Sequence, residues 1–565
     1  MIGVFAKSGQ DEAVREFFEL FKTPWQFVRA GSFYDVVIST LDDVPPVDCR
    51  LLIVYGCSAK RVDAGHGDAF PLLKTASFIY SGGAVPIYCG VRTFAPLAEV
   101  VRYVSDNGET VGFYSRPRSL LRLGYDLFDE SEYLLTAGQP EEWAHVPTLD
   151  LHIEILRNAI LQAGIPLLEI PPSPENYSFI TCLTHDIDFV GIRSHFFDHS
   201  MFGFCYRGTI GAFLKFLRGR LSLDLLIRSW VAVLSLPFVY AGWMKDFWQP
   251  FEWYLTAEKD LPSTYFLIPF KRTRGTKVSG ANAGRRAAAY DVGDLKSWIE
   301  RLQNEGCEVA VHGIDSWHSE QKARNESKRV RDAAGRSRVG VRMHWLLADR
   351  DTPAILDRAD YDYDSTCGYN GAIGYRAGTL QVFRPIGTKK LLELPLHLQD
   401  GALFFPEKLN LSEPEAEQRC ATLIDQARNL GGVLTVLWHD RSHAAERFWG
   451  DFYLRLLKRL RTCRCWFASA EQVIAWFRYR REVKFKSLTA AVPNLVSIHY
   501  DGRTPIQPLV TLRIHRPSGQ RVGSASEHAA PAFEDISWDG EDSEKLSRIC
   551  RERLGCFSMD PTVRA

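Results

Sequence analysis

The sequence predicts an α/β protein. A β/α barrel at residues 175–480 follows an N-terminal α/β domain at 1–165 and precedes a small β-containing appendage at 485–565. Three observations predict this. Short apolar runs recur through the middle of the chain, each ending in a polar cluster. Amphipathic helical patterns with capping residues separate them. The polar clusters lie just after the strands, where a β/α barrel carries its chemistry. At 565 residues the chain is long enough for several cores. Lys+Arg and Asp+Glu both number 68, and this zero balance argues against a dedicated nucleic-acid binder.

In the first region, Gly3-Val4-Phe5, Val36-Val37-Ile38, Leu51 to Tyr55 and Val85 to Tyr88 read as strands, and Glu12 to Phe21 as an amphipathic helix. The sheet is expected to be mainly parallel. Neither a GxGxxG nor a P-loop is present, so nothing here supports a nucleotide site. The opening residues Met1 to Lys7 lack the pattern of a secretory signal, which sets the expectation of a cytoplasmic protein. Of the twelve cysteines, Cys89, Cys182 and Cys307 sit in apolar runs and suit buried free thiols. Ile165 to Pro174 is Pro-rich and reads as a linker.

The strand Phe179 to Thr184 runs into His185-Asp186-Ile187-Asp188. Carboxylates two residues apart on a strand point the same way. They repel, and both stay ionised only with a cation or donors beside them. A metal on one and a proton-accepting role for the other is the economical solution. Residues 207–245 interleave Arg207, Lys215, Arg218 and Arg220 with aromatic and aliphatic residues. The uncharged run from Arg228 to Lys245 is too short for a span and contains Pro237. Core or lid helices are the ordinary reading, and a peripheral membrane face is the alternative. Ser263 to Ile268 is a strand. Residues 271–289 read as a surface loop. Asp291 caps a helix that ends at Gly306, and Glu308 to Val311 delivers His312. Ser412 and Glu415 form a capping box, and Val433 to Leu437 delivers Trp438-His439-Asp440. Leu495 to Tyr500 and Leu509 to Ile514 flank Asp501-Gly502 as in a hairpin, and Pro517 to Glu544 reads as a poorly ordered polar stretch.

Four clusters in chain order carry a resemblance: Thr184-His185-Asp186-Ile187-Asp188, His312-Gly313-Ile314-Asp315-Ser316-Trp317-His318, Gly374-Tyr375-Arg376-Ala377-Gly378 and Leu437-Trp438-His439-Asp440. Over roughly residues 178–478 they resemble the polysaccharide deacetylases of the NodB-homology family, the fourth family of carbohydrate esterases, in a variant with a His-Asp-x-Asp first motif. The resemblance implies a deformed β/α barrel and metal-dependent hydrolysis of an N- or O-acetyl group on a sugar. The substrate would be a nucleotide-linked, lipid-linked or oligosaccharide sugar in polysaccharide or glycoconjugate biosynthesis. It also implies Asp186 as general base, Asp188 and His312 as ligands of a divalent metal (zinc by preference), Arg376 as the arginine beside the base and His439 as the acid.

The chain departs from the family pattern at the second metal histidine, where Ser316 stands. His318 is therefore expected as the third ligand, with Asp315 a further candidate. Asp440 or another carboxylate would keep His439 protonated. Asp400 would take part of the role of a missing acidic motif, and Trp317 and Trp438 are candidates for sugar stacking or core. His344, in Val341-Arg342-Met343-His344-Trp345, reads as a packed residue or as one that lines the sugar groove with Trp345, and packing is the ordinary reading. The alternatives to a deacetylase are a sugar deformylase using the same site and an inactive barrel that binds glycan or a biosynthetic partner.

Overall fold

In the computed structural model the described residues are 1–63, 72–73, 76–95, 101–276, 286–487, 496–500, 506–517 and 533–538. The chain divides into two compact units. One comprises Met1–Asn176, Ala377–Ile386 and Ala475–Ala565, and the other comprises Tyr177–Arg376 and Gly387–Ile474.

The first unit holds a seven-stranded sheet in the spatial order Trp25–Phe27, Ile2–Phe5, Tyr34–Ser39, Cys49–Tyr55, Leu120–Leu123, Thr110–Ser115 and Val101–Val104. The first five strands are parallel and the last two join antiparallel. The helix Asp11–Phe21 buries Phe17, Phe18 and Phe21. The run near Val85 belongs elsewhere. Gly83–Ile87 pairs antiparallel with Ala76–Tyr80. Ser81 and Gly82 both have positive φ, as a tight two-residue hairpin turn demands.

Four expectations fail in this unit. The supposed linker contains the strand Leu167–Glu169, which pairs with Val510–His515. The supposed C-terminal hairpin does not form as such. Val496–Tyr500 pairs with Val483–Ser487, and Val510–His515 pairs with Phe533–Trp538. The intervening Asp501-Gly502 lies outside the described residues. Phe533–Trp538 also falls in the stretch read as poorly ordered. Its sequence is polar because it is an edge strand with alternate residues exposed, and the ladder to Val510–His515 supplies the order. Cys182 and Cys307 are buried free thiols, whereas Cys89 is exposed.

The second unit is a curled, open half-barrel of nine parallel strands with helices between them. The strands are β1 (Phe179–Ile187), β2 (Ser263–Leu267), β3 (Glu308–Gly313), β4 (Val341–Met343), β5 (Tyr363–Asp364), β6 (Leu392–Glu393), β7 (Leu398–Gln399), β8 (Val433–Leu437) and β9 (Cys465–Phe467). The order is β6-β5-β4-β3-β2-β1-β8-β7, with β9 also against β1. All pairs are parallel. β1 is buried along its whole length, as a central parallel strand covered on both faces must be. Asp291 accepts from Gly293 N at the start of one connecting helix, and Ser412 and Glu415 form the expected capping box at another.

Between β1 and β2 lies a helical layer: α1 (His199–Tyr206), a π-helical turn at Arg207–Gly211, α2 (Ala212–Leu217), α3 (Leu223–Leu234), α4 (Leu236–Tyr240) and α5 (Phe251–Ala257). No helix of the described residues is long and apolar enough to cross a membrane.

Candidate metal and hydrolytic site

β1 places Thr184 and Asp186 on one face and His185 on the other, as period-two alternation requires. On the first face Arg342 Nη1, from β4, donates to Thr184 Oγ1 at 2.8 Å and to Asp186 Oδ1 at 3.0 Å. Its other donors go to Ser365 O and Ser365 Oγ, so the buried guanidinium is satisfied and held in one orientation. On the opposite face His185 Nδ1 hydrogen-bonds with Trp438 O at 2.9 Å, and its Nε2 lies 2.9 Å from Glu258 Oε1 without hydrogen-bond geometry. It therefore belongs to the packing behind the site.

Asp188 follows β1 directly. Its Oδ1 has no hydrogen-bond partner, and two imidazole nitrogens face it: His312 Nε2 at 3.3 Å and His344 Nε2 at 3.3 Å. His312 ends β3 and His344 follows β4. The three donor atoms all lie within 4.8 Å of one another. His312 Nδ1 lies 3.0 Å from the Arg342 carbonyl oxygen. A proton on Nδ1 satisfies that carbonyl and leaves the Nε2 lone pair facing Asp188. Asp186 Oδ2 lies 3.9 Å from the same Nε2.

Burial favours the neutral forms here, but the charges decide. Burial would raise the Asp188 pKa, yet His344 and His312 hold it well below the usual carboxylate range. Burial lowers the His344 pKa to about 4, so its imidazole is neutral and can donate a lone pair. Burial also opposes charge on His312, and Asp186 and Asp188 outweigh it and raise its pKa.

The donor set fits a divalent metal. One carboxylate and two imidazoles are a usual three-ligand set for a catalytic zinc with an open position. Ligands about 2.0–2.1 Å from a tetrahedral centre lie about 3.3 Å apart. A buried carboxylate oxygen left without a hydrogen bond is otherwise costly, and coordination removes that cost.

The third member of this cluster is not His318. His318 Nε2 pairs with Thr276 Oγ1 at 2.8 Å and lies 3.5 Å from Asp315. Asp315 is engaged by Lys322 Nζ, at 2.7 Å, and by Thr276 N, at 2.8 Å. Ser316, at the family's second histidine position, donates to Glu326. Trp317 is half-buried and packs edge-on against His318. His344 is buried and packed against His312 and Trp345, as expected, but it also joins the cluster with Asp188 and His312. A strand-end rule would have found it, because Val341-Arg342-Met343 delivers His344 just as β3 delivers His312. Trp345 and Leu346, next in the chain, have left-handed φ of 64° and 52°. That costs strain in bulky residues, and such strain collects at functional sites. Asn370 Nδ2 donates to Trp345 O and helps fix the turn.

Arg376 does not meet Asp186 either. It is exposed and donates to Gly368 O at 3.0 Å. Arg342, from the interior of β4, occupies the position beside Asp186.

His439 follows β8. Its Nδ1 meets Asp400 Oδ1 at 2.5 Å, and Asp400 Oδ2 accepts from His439 N at 2.8 Å and from Ser442 Oγ. Burial pulls the imidazole down, but Asp400 outweighs it, with Asp186 and Asp188 adding to the rise, and the pKa reaches about 9. Asp400 itself, although buried, is drawn down to about 2, chiefly by His439. Asp440 has a different task. Its carboxylate accepts from Phe189 N and Arg441 N, and burial lifts its pKa to about 6. Trp438 is fully buried and stacks on Phe452 and Tyr453, so it is core and not a sugar platform.

No protein-family model and no curated protein matches the chain. Solved structures do. A Mycobacterium smegmatis protein described as a polysaccharide deacetylase is 17% identical and covers 57% of this chain and 99% of its own, with a TM-score of 0.33. The carbohydrate deacetylase Agd3 is 8% identical and covers 96% of this chain and 98% of its own, also at 0.33. PuuE allantoinase is 13% identical and covers 54% and 92%, at 0.31. With identities and TM-scores this low, function has to be read from the chain's own residues.

Proposed function

We propose that the second unit is a metal-dependent deacetylase that hydrolyses the N-acetyl (or O-acetyl) group of a sugar in polysaccharide or glycoconjugate biosynthesis. One observation carries the reading. The unpaired Asp188 Oδ1 faces the Nε2 atoms of two imidazoles, within one unit that also holds an arginine-paired Asp186 and a carboxylate-paired His439. Asp188, His312 and His344 would hold the cation, zinc by preference, which supplies Lewis-acid polarisation of the acyl oxygen and lowers the pKa of water.

The chain's own residues do the rest. Asp186 accepts the proton of the attacking water, with Arg342 fixing the orientation of its carboxylate. The His439 imidazolium, aligned through Nδ1 by Asp400, offers its Nε2 proton to the departing amine as the C–N bond breaks. The products are acetate and the free amino sugar. A site that only bound glycan would not need a histidine held protonated to about pH 9 opposite an acceptor carboxylate.

The test is metal analysis of the purified protein, combined with acetate release from a panel of N-acetylated sugars. About one zinc per chain, together with acetate release that disappears on chelation and returns with zinc, is expected. Folded protein that neither holds metal nor releases acetate would leave a binding module instead.

A further inference from the structure

The helical layer between β1 and β2 leaves an apolar face without a partner. Of the 21 large hydrophobic side chains that are exposed among the described residues, 16 lie between Phe196 and Met244. Leu234 is 74% exposed and Trp243 79%. α3 buries only Leu226 and Ser229 and turns Leu223, Ile227, Trp230 and Val231 outward. Between α2 and α3 runs an apolar groove of about 440 Å³, lined by Ile210, Phe213, Trp230, Val233 and Leu234 together with Thr209. A contiguous exposed apolar patch of this extent marks an interaction surface.

The charges around it indicate which partner. Residues 193–245 carry seven Lys or Arg against two acids, Asp198 and Asp224, in a chain whose overall balance is zero; Arg207 and Lys245 are neutralised by Glu446 and Glu252, and Arg228 lies near Asp224. Arg218 and Arg220, in the turn after α2, are exposed and have no carboxylate partner among the described residues. Two copies of such a face would repel each other. An anionic lipid surface would attract it, and aromatic residues interleaved with basic ones suit the headgroup level.

The layer is not loosely attached. Ile192, Phe204, Leu236, Val239, Trp248 and Ala444 form one core cluster, with Phe189 packed against it. The Arg441 guanidinium lies against the rings of both Phe189, at 3.8 Å, and Trp248, at 4.6 Å, which themselves meet edge to face. Phe189 adjoins Asp188, and Arg441 lies two residues after His439. The layer is thus bolted to the two segments that carry the site.

We propose that this face docks the protein on an anionic membrane surface and so presents the site to a lipid-linked sugar. The docking stands on the surface itself, and the substrate class rests on the deacetylase reading. The experiment is co-sedimentation of the full chain with phosphatidylcholine vesicles with and without phosphatidylglycerol, at low and high salt. The expected result is binding to the anionic vesicles, weakened by salt. A double variant, Arg218→Glu with Arg220→Glu, should reduce it by more than about tenfold. Leu234→Ser with Trp243→Ser should reduce it on all vesicles. Both variants should release acetate from a soluble N-acetylated sugar as the wild type does.

No vesicle binding by the wild type would overturn the proposal, as would binding that both variants retain. A dimer that forms without vesicles and dissociates in the Leu234→Ser variant would assign the face to a second copy. The vesicle measurement needs neither metal nor substrate. Docking that persists without any acetate release therefore supports the surface while removing the hydrolase reading.

Discussion

Two buried polar regions of this chain are built on opposite terms. In the first unit, Arg480 is fully buried and donates to Glu19 O, Leu20 O, Ile170 O and Pro171 O. Glu169, nearby in the same unit, takes both its bonds from Arg157, at 2.7 Å each, and a third contact from His515 Nε2 at 2.9 Å. Burial would raise its pKa, and Arg157 and His515 hold it low instead. In the second unit, Asp188 Oδ1 and His344 Nδ1 have no hydrogen-bond partner among the described residues. Satisfied networks spend their polar valences on the fold. A network left open at one point has a valence to spend on something else. Neither burial nor a single unpartnered atom distinguishes the two, since His515 Nδ1 also has no partner; an unfilled carboxylate oxygen faced by two imidazole nitrogens does.

The comparison can be broken most severely at the open end. Asp188→Ala and His344→Ala should each lose the bound zinc, and acetate release with it, by elemental analysis and assay; His318→Ala should keep both. Retained metal in His344→Ala with loss in His318→Ala would restore the motif-based assignment.

His439→Ala should come next, lowering kcat by roughly 10²–10⁴-fold with zinc content unchanged. A smaller mechanistic effect is expected from Asp400→Asn, about 10–100-fold in rate, with a change in pH dependence. His439 has a folded pKa of about 9, raised above the ordinary value. The acid form, and the stability the pair contributes, are therefore present below about pH 6.5 and lost as pH rises through about 9. Removing the Asp400 charge leaves burial pulling the other way, so the alkaline limb of activity should move to lower pH. A limb that stays in place would exclude His439 as the acid.

At the closed end, Arg480→Leu strands carbonyl groups and should lower unfolding stability by at least about 2 kcal/mol. It should leave the zinc content of the second unit untouched.

Much of the second unit was legible in the sequence because its strands are central, apolar and end in polar residues. The position of His312 at the end of β3 and of His439 just after β8 followed from that pattern alone. The rest was hidden for definite reasons. His344 sits beside Asp188 because β4 lies next to β3 in the sheet, and pattern gives strands without giving their neighbours. Arg342 is an interior strand residue, where an arginine reads as an exposed side chain unless its partners across the sheet are known. Asp400 meets His439 across 39 residues through the β7–β8 pairing. The C-terminal strands were misjudged by the same route. A turn signal at Asp501-Gly502 suggested a local hairpin, while Val510–His515 found its partner in Leu167–Glu169, far back in the chain.

Arg342 has a double attachment to the site. Its guanidinium reaches Asp186, while its carbonyl oxygen receives the Nδ1 of His312. The first link is a side chain and is open to mutation. The second is backbone, and every amino acid at position 342 would supply it. On the proposed mechanism, drift at this codon would strip the arginine from Asp186 while leaving the backbone contact to His312 in place. A lineage that replaced Arg342 could keep a metal-loaded barrel with little hydrolytic power. Such a chain would already be part-way to a pure carbohydrate receptor, with the tautomer of His312 inherited from the geometry of β4 alone.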